Sequence, residues 1–98
     1  MIYQSKLLPK ARLELLESWI WYEDRQPGLG DRFKDEVYKA IHLVEQNPER
    51  YPVRKKPYRE KNIDTFPYLI IYAIDQEAMS IIILSIFHAK RNPQKKYK

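Results

Sequence analysis

From Phe66 to Pro93 the chain reads FPYLIIYAIDQEAMSIIILSIFHAKRNP: two apolar runs, a short polar turn between them, then an abrupt change to His88, Lys90 and Arg91. In the second run both parities are apolar, with Ile81, Ile83 and Phe87 on one face and Ile82, Leu84 and Ile86 on the other. A strand apolar on both faces is covered on both sides. The pattern predicts the central strand of a small sheet, whose end carries His88 and the basic residues after it to the surface. That strand end is the first candidate site.

Upstream, the spacing changes from two to three and four. Ile2 to Lys6 is a short strand candidate. Pro9 suits the first turn of a helix, and Leu8, Ala11, Leu15, Trp19 and Tyr22 follow as one stripe, widened by Leu16 and Ile20. Arg12, Glu14, Glu17 and Glu23 take the other side, so Glu14 and Glu17 are expected on a solvated face. The helix ends at about Arg25, before Gln26-Pro27-Gly28. A second helix starts near Gly28 or Gly30 and runs to Gln46, with Leu29, Phe33, Val37, Ile41 and Val44 as its stripe and Asp31, Asp35 and Glu36 in its early turns. Asn47-Pro48 stops it. So short a link between the helices predicts an antiparallel hairpin. Gly28-Leu29-Gly30 is read as its turn; as a phosphate cradle it lacks a preceding strand and a Lys-Ser/Thr.

After Glu49 the period becomes two. Tyr51 to Arg54 is a short strand, Lys55-Lys56-Pro57 a turn, Tyr58 to Thr65 another strand, and the two apolar runs follow. The expected fold class is α+β: an N-terminal strand and an antiparallel two-helix hairpin packed on a small, mainly antiparallel sheet, one domain over residues 1–98.

Composition narrows the function classes. A 98-residue chain that is 44% hydrophobic supports one core and is not a disordered tail. The absence of cysteine rules out disulfides and thiolate metal sites. No apolar stretch approaches the ~20 residues of a membrane helix, and no secretory leader is recognised, so a cytoplasmic protein is expected. Charge is unevenly placed: residues 1–47 carry net −1 and residues 48–98 net +6. A basic C-terminal half favours an anionic partner, either nucleic acid or an acidic protein surface.

No cofactor or metal is expected, because His42 and His88 lie in different elements without carboxylates at ligand spacing. Ser80 and Ser85 fall inside the apolar strand pattern and do not suit a nucleophile. The basic constellation is richer: Arg54, Lys55, Lys56, Arg59 and Lys61 surround one turn, His88, Lys90, Arg91, Lys95 and Lys96 follow the last strand, and Tyr51, Tyr58 and Tyr97 are interleaved. Cations hold phosphates and rings stack on bases, so this set suits RNA binding, or metal-free RNA cleavage with His88 as the titrating group. Ordinary solubilising charge is the bland alternative.

At these residues the chain resembles the RelE/ParE superfamily, the small toxins of bacterial type II toxin–antitoxin systems. The matches are W-Y-E with G-L-G (Trp21 to Glu23, Gly28 to Gly30), N-P-x-x-Y-P (Asn47 to Pro52), Arg59 before F-P-Y-x-I-x-Y (Phe66 to Tyr72), and I-x-H-x-x-R-N-P (Ile86 to Pro93). The resemblance implies a cytoplasmic toxin held by a cognate antitoxin that wraps it, with Trp21 and Tyr22 on the antitoxin-binding groove; it also admits a homodimer.

Two mechanisms are found in the superfamily. F-P-Y and H-x-x-R-N-P look like the ParE branch, which inhibits DNA gyrase by binding it; Arg59, His88, Lys90 and Arg91 would then contact the target. The alternative is a RelE-like mRNA endoribonuclease acting on the ribosome, with Lys56, Arg59, His88, Arg91 and Tyr97 as catalytic residues. This chain departs from the RelE pattern at Leu69 and Ala89, which stand where RelE-like toxins carry arginines. The sequence reading therefore favours the gyrase-directed branch over the ribonuclease.

Overall fold

The computed structural model describes residues 3–91 and 93–97. The chain runs β1 (Gln4–Leu7), α1 (Pro9–Arg25), α2 (Leu29–Gln46), β2 (Val53–Lys55), β3 (Tyr58–Asn62), β4 (Tyr68–Asp75) and β5 (Ser80–His88), with 3₁₀ turns at Pro48–Arg50 and Pro93–Lys95. The five strands form one sheet in the order β1-β5-β4-β3-β2. All neighbours are antiparallel except β1 and β5, which pair in parallel because the helical hairpin carries the chain across between them. The α+β architecture expected from the sequence is the one found. Ile2, part of the expected first strand, lies outside the described residues.

Helix α1 starts on Pro9, whose missing N–H costs nothing in a first turn. Between the helices Gly28 has φ 91°, a left-handed value that favours glycine. A Cβ on Gly30 would lie 2.5 Å from the Trp19 carbonyl oxygen and from Glu23 Cγ, so only glycine lets α2 start this close to α1. The Glu23 carboxylate accepts the N–H groups of Gly28 at 3.2 Å, Gly30 at 2.8 Å and Asp31 at 3.2 Å. An internal carboxylate thus occupies the helix start that a phosphate would need, which is the physical content of the hairpin-turn reading.

Helix α2 lays Phe33, Val37, Ala40, Ile41 and Val44 on the sheet, where each is buried. Side chains of the Phe and Val type contribute about 1.5–3 kcal/mol each when fully buried. They meet Tyr68, Ile70 and Tyr72 of β4 and Ile81, Ile83 and Ile86 of β5 in one cluster.

The face assignment within β5 differs from strict alternation. Ile71 pairs with Ser85 but Tyr72 pairs with Ile83, so Leu84 is an extra residue in β5, a bulge. The bulge shifts the parity of everything after it. Ile86 joins Ile81 and Ile83 against the helices, and Phe87, expected beside Ile81 and Ile83, is buried outside that cluster. The strand is flanked by β1 and β4, so it is interior, while β4 holds the centre of the sheet.

The expected solvated face of α1 is also corrected at one position. Glu14 is only 8% exposed, whereas Leu16 and Ile20, placed in the buried stripe by their spacing, are 48% and 45% exposed. The reason lies at the sheet edge. Strand β1 reaches only to Ile83 of β5, and the Leu8 N–H closes the pairing on the Ile83 carbonyl at 3.0 Å. Beyond that point Glu14 takes over: its Oε1 accepts Ser85 Oγ at 2.7 Å and the Ile86 N–H at 3.1 Å.

Candidate functional site

The end of β5 forms one wall of a cavity of about 320 Å³ against α1. Its lining joins Glu14, Glu17, Trp21 and Tyr22 of the helix to Tyr68, His88 and Arg91. His88 is directed there by the bulge, which puts it on the face of its β4 partner Tyr68; the two rings meet edge-on at 4.9 Å. The Lys90 N–H donates to His88 Nδ1 at 3.0 Å. A ring nitrogen that accepts carries no proton, so the neutral imidazole holds its proton on Nε2 and presents a donor. Arg91 NH1 lies 3.4 Å from Glu14 Oε2, and more than half of its side chain remains exposed.

Trp21 stands half exposed at the rim, with the Arg25 guanidinium 3.8 Å from its ring centre. Tyr22 points inward, packing with Phe33, Phe66 and Tyr68 at centroid separations of 5.2, 5.0 and 6.3 Å. Burial, and secondarily the Tyr68 phenol, pushes the Tyr22 hydroxyl up to about 12. The F-P-Y motif is therefore largely the floor beneath the site.

A second polar cluster lies at β3. Glu60 pairs in register with Ile71, on the face outside the helix-side core, and is buried. Its carboxylate accepts the Tyr97 hydroxyl in a short hydrogen bond and the Lys96 ammonium at 3.0 Å. Tyr97 stacks on Tyr58 at 5.4 Å, with Lys55 Nζ 5.5 Å from its ring centre. Burial first, and the Glu60 hydrogen bond second, push the Tyr97 phenol up to about 12. The segment after β5 is thus a strap fastened across the sheet.

A third feature is apolar. A groove of about 510 Å³ runs between β1 and the helices, with Leu7, Leu15, Leu16, Trp19 and Tyr38 among its lining and Lys6, Arg12 and Lys34 on its rim. Leu13, Leu16 and Ile20 continue this apolar surface along α1.

The sequence-selected residues divide among these places. His88 and Arg91 come together with Trp21 and Tyr22, and Lys90 contributes its backbone N–H beside them. Tyr97 is with Glu60 instead. Arg59 donates to the carbonyls of Glu49 at 3.0 Å and Tyr51 at 2.6 Å, which holds the N-P-x-x-Y-P loop onto β3. Tyr72 does the same from the core, donating its hydroxyl to the Pro48 carbonyl at 2.6 Å. Lys56 is exposed in the β2–β3 turn. Asn92 of the final motif lies outside the described residues.

Sequence reasoning places Glu14 on a solvated face and does not single out Glu60. Both are charged residues in elements with ordinary polar faces. Glu14 is buried against the open edge of β5, where it also meets Arg91, and Glu60 meets Lys96 and Tyr97; these partners all come from the far end of the chain.

A strand, a two-helix hairpin and an antiparallel run of strands, with a basic residue set at the end of the last strand, define the RelE/ParE class of toxins. The chain matches the family model of the ParE toxin of the type II toxin–antitoxin system parDE over residues 6–93, and it belongs to that family. No curated protein matches it. Among solved structures it is similar to the chromosomal ParDE system of P. aeruginosa, at 15% identity and a TM-score of 0.78, covering 91% of this chain and 98% of that one. It is also similar to the RelBE2 toxin–antitoxin complex of Mycobacterium tuberculosis, at 22% identity and a TM-score of 0.65, covering 90% and 99%. The isolated E. coli RelE toxin matches at 20% identity and a TM-score of 0.65, covering 96% and 92%. At these identities the structures establish a shared fold.

Proposed function

We propose that this toxin acts by binding its target, DNA gyrase, through the β5 end, and that its cognate antitoxin seats an acidic amphipathic helix in the groove beside β1. The observation that carries the first part is the division of the titratable groups. His88 has its Nδ1 filled by the Lys90 N–H, leaving a donor instead of a base. Tyr97 is bound to Glu60 in a separate cluster, with its phenol held protonated. Proton transfer at one phosphodiester needs base and acid within hydrogen-bond reach of the same atoms. Docking needs only an aromatic wall with donors, and His88, Arg91 and Trp21 supply one.

For the antitoxin, an apolar floor with three cations on its rim suits a helix that is apolar on one face and acidic on the other. Trp21 lies beyond Ile20 on the same helix, where such a helix could extend onto it.

The RelE-like ribonuclease is the second reading. It is favoured by the patch at β3, where Lys55, Lys96, Tyr58 and Tyr97 gather around Glu60. The deciding experiment adds purified toxin to gyrase supercoiling and to ribosome-bound mRNA cleavage, with the wild type and with His88→Ala and Arg91→Ala. Lost supercoiling with intact mRNA, relieved by both variants, is the expected result. Cut mRNA with normal supercoiling overturns the proposal.

A further inference from the structure

We infer that Glu14 is the positioning residue of the β5 end: from α1, its buried carboxylate fixes where His88 and Arg91 stand. This inference rests on the reading that the strand end is the contact surface, and it concerns how that surface is built.

A carboxylate is rarely buried without partners, and this one is 8% exposed. Its two oxygens serve different groups. Oε1 accepts Ser85 Oγ at 2.7 Å and the Ile86 N–H at 3.1 Å; Oε2 faces the Arg91 guanidinium at 3.4 Å.

The Oε1 contacts lie immediately after the bulge at Leu84. An extra residue in a strand disturbs the ladder and turns the following side chains to the opposite face. Without it, His88 would fall on the face away from α1; with it, His88 faces α1 across from Tyr68. The edge of β5 is also unpaired there, because β1 ends opposite Ile83. Glu14 supplies the acceptor the missing strand would have offered, so it stabilises the conformation that sends His88 into the cavity. Oε2 then draws Arg91 back across the cavity mouth, three residues after His88. Glu17, one turn further along α1, lines the same cavity, and among the described residues the acidic partner of Arg91 is Glu14.

The two oxygens make the inference separable. Glu14→Gln keeps an acceptor for Ser85 and Ile86 and loses the charge that holds Arg91. In full-length protein, ¹⁵N relaxation of the Arg91 side chain and the His88 ring nitrogen shifts report the geometry directly. Growth inhibition on induction reports the contact surface. With Glu14→Gln we expect a retained fold, a freed Arg91 side chain, and a drop in growth inhibition of about tenfold, the scale of one charge-assisted hydrogen bond. Arg91→Ala should produce the same drop, and adding it to Glu14→Gln should cost nothing more.

An Arg91 side chain as mobile in the wild type as in Glu14→Gln overturns the inference, as do single-variant losses that multiply in the double variant. Should Glu14→Gln fail to fold, Ser85→Ala removes one Oε1 contact alone. It is then expected to shift the His88 ring signals while leaving Arg91 ordered, and unchanged His88 signals overturn the inference. If His88→Ala and Arg91→Ala leave growth inhibition intact, the contact-surface reading fails, and the relaxation measurement still decides the role of Glu14.

Discussion

Glu14 and Ser85, seventy-one positions apart in sequence, are joined by a hydrogen bond of 2.7 Å in the buried interior. This contact ties α1 to β5 where the sheet edge is open. Replacing Glu14 by Leu strands the Ser85 hydroxyl and the Ile86 N–H and removes the partner of the half-exposed Arg91; the expected loss is about 2–4 kcal/mol. Ser85→Ala removes one neutral partner and should cost about 1 kcal/mol. Urea unfolding of both variants checks the ranking, and a larger loss for Ser85→Ala would contradict it.

The helical hairpin gives a second ranking. An added Cβ at Gly30 meets the Trp19 backbone oxygen, which cannot move aside without shifting α1, while at Gly28 it meets open space but a left-handed backbone. Gly30→Ala should therefore cost more than about 2 kcal/mol, and Gly28→Ala about 1 kcal/mol. Thermal unfolding distinguishes them, and equal midpoints would show that the hairpin tolerates a wider turn.

The loop after α2 is held from both sides. Arg59→Ala removes the NH1 group that donates to both the Glu49 and Tyr51 carbonyls, and Tyr72→Phe leaves the Pro48 carbonyl without its buried donor. Each should lower stability by about 1–2 kcal/mol. Amide exchange should quicken at Arg50, whose N–H bonds the Asn47 carbonyl, and at Glu60, whose N–H bonds the Pro52 carbonyl. Protection unchanged from the wild type would count against this role.

Alkaline pH should loosen the strap. The Tyr97 phenol is pushed up to about 12 in the folded chain, against about 10 when unfolded. Between those values the unfolded state gives up the proton and the folded state keeps it. The associated stability is therefore complete below pH ~10 and is lost as pH rises towards ~12. Tyr22, also near 12, adds to the same trend, and burial raises Tyr72 in the same direction. Urea midpoints should fall over this window and fall less in Tyr97→Phe; an identical fall in that variant would assign the effect elsewhere.

The groove makes the antitoxin reading testable without the target. Leu16 is 48% exposed, so Leu16→Glu should leave the fold unchanged. A charge in an apolar contact surface should weaken antitoxin binding by at least about tenfold, read by calorimetry. Full affinity in that variant would move the antitoxin to another face.

Much of the architecture was legible in one sequence because local patterns report local structure. The stripe Phe33, Val37, Ile41 and Val44 specifies α2 and its buried face at once, since a 3.6-residue period and burial coincide there. The two apolar runs specify β4 and β5, and the family motifs identify the class of toxin. The parity of β5 after Leu84 is not legible in sequence because a bulge depends on the register against β4, which no single-strand pattern encodes. Leu16 and Ile20 were placed inside because an apolar stripe predicts burial equally well against this chain or against a partner.

The sequence by itself determined the elements, their order, the basic C-terminal half and the toxin family, all carried by short-range periodicity and contiguous motifs. Tertiary structure alone decided which charges are buried. Glu14 meets Arg91 because the residues just after β5 lie against α1, and Glu60 meets Lys96 and Tyr97 because the chain beyond them reaches β3. The cost of burying a carboxylate is set by the groups that surround it, and here those groups come from the opposite end of the chain.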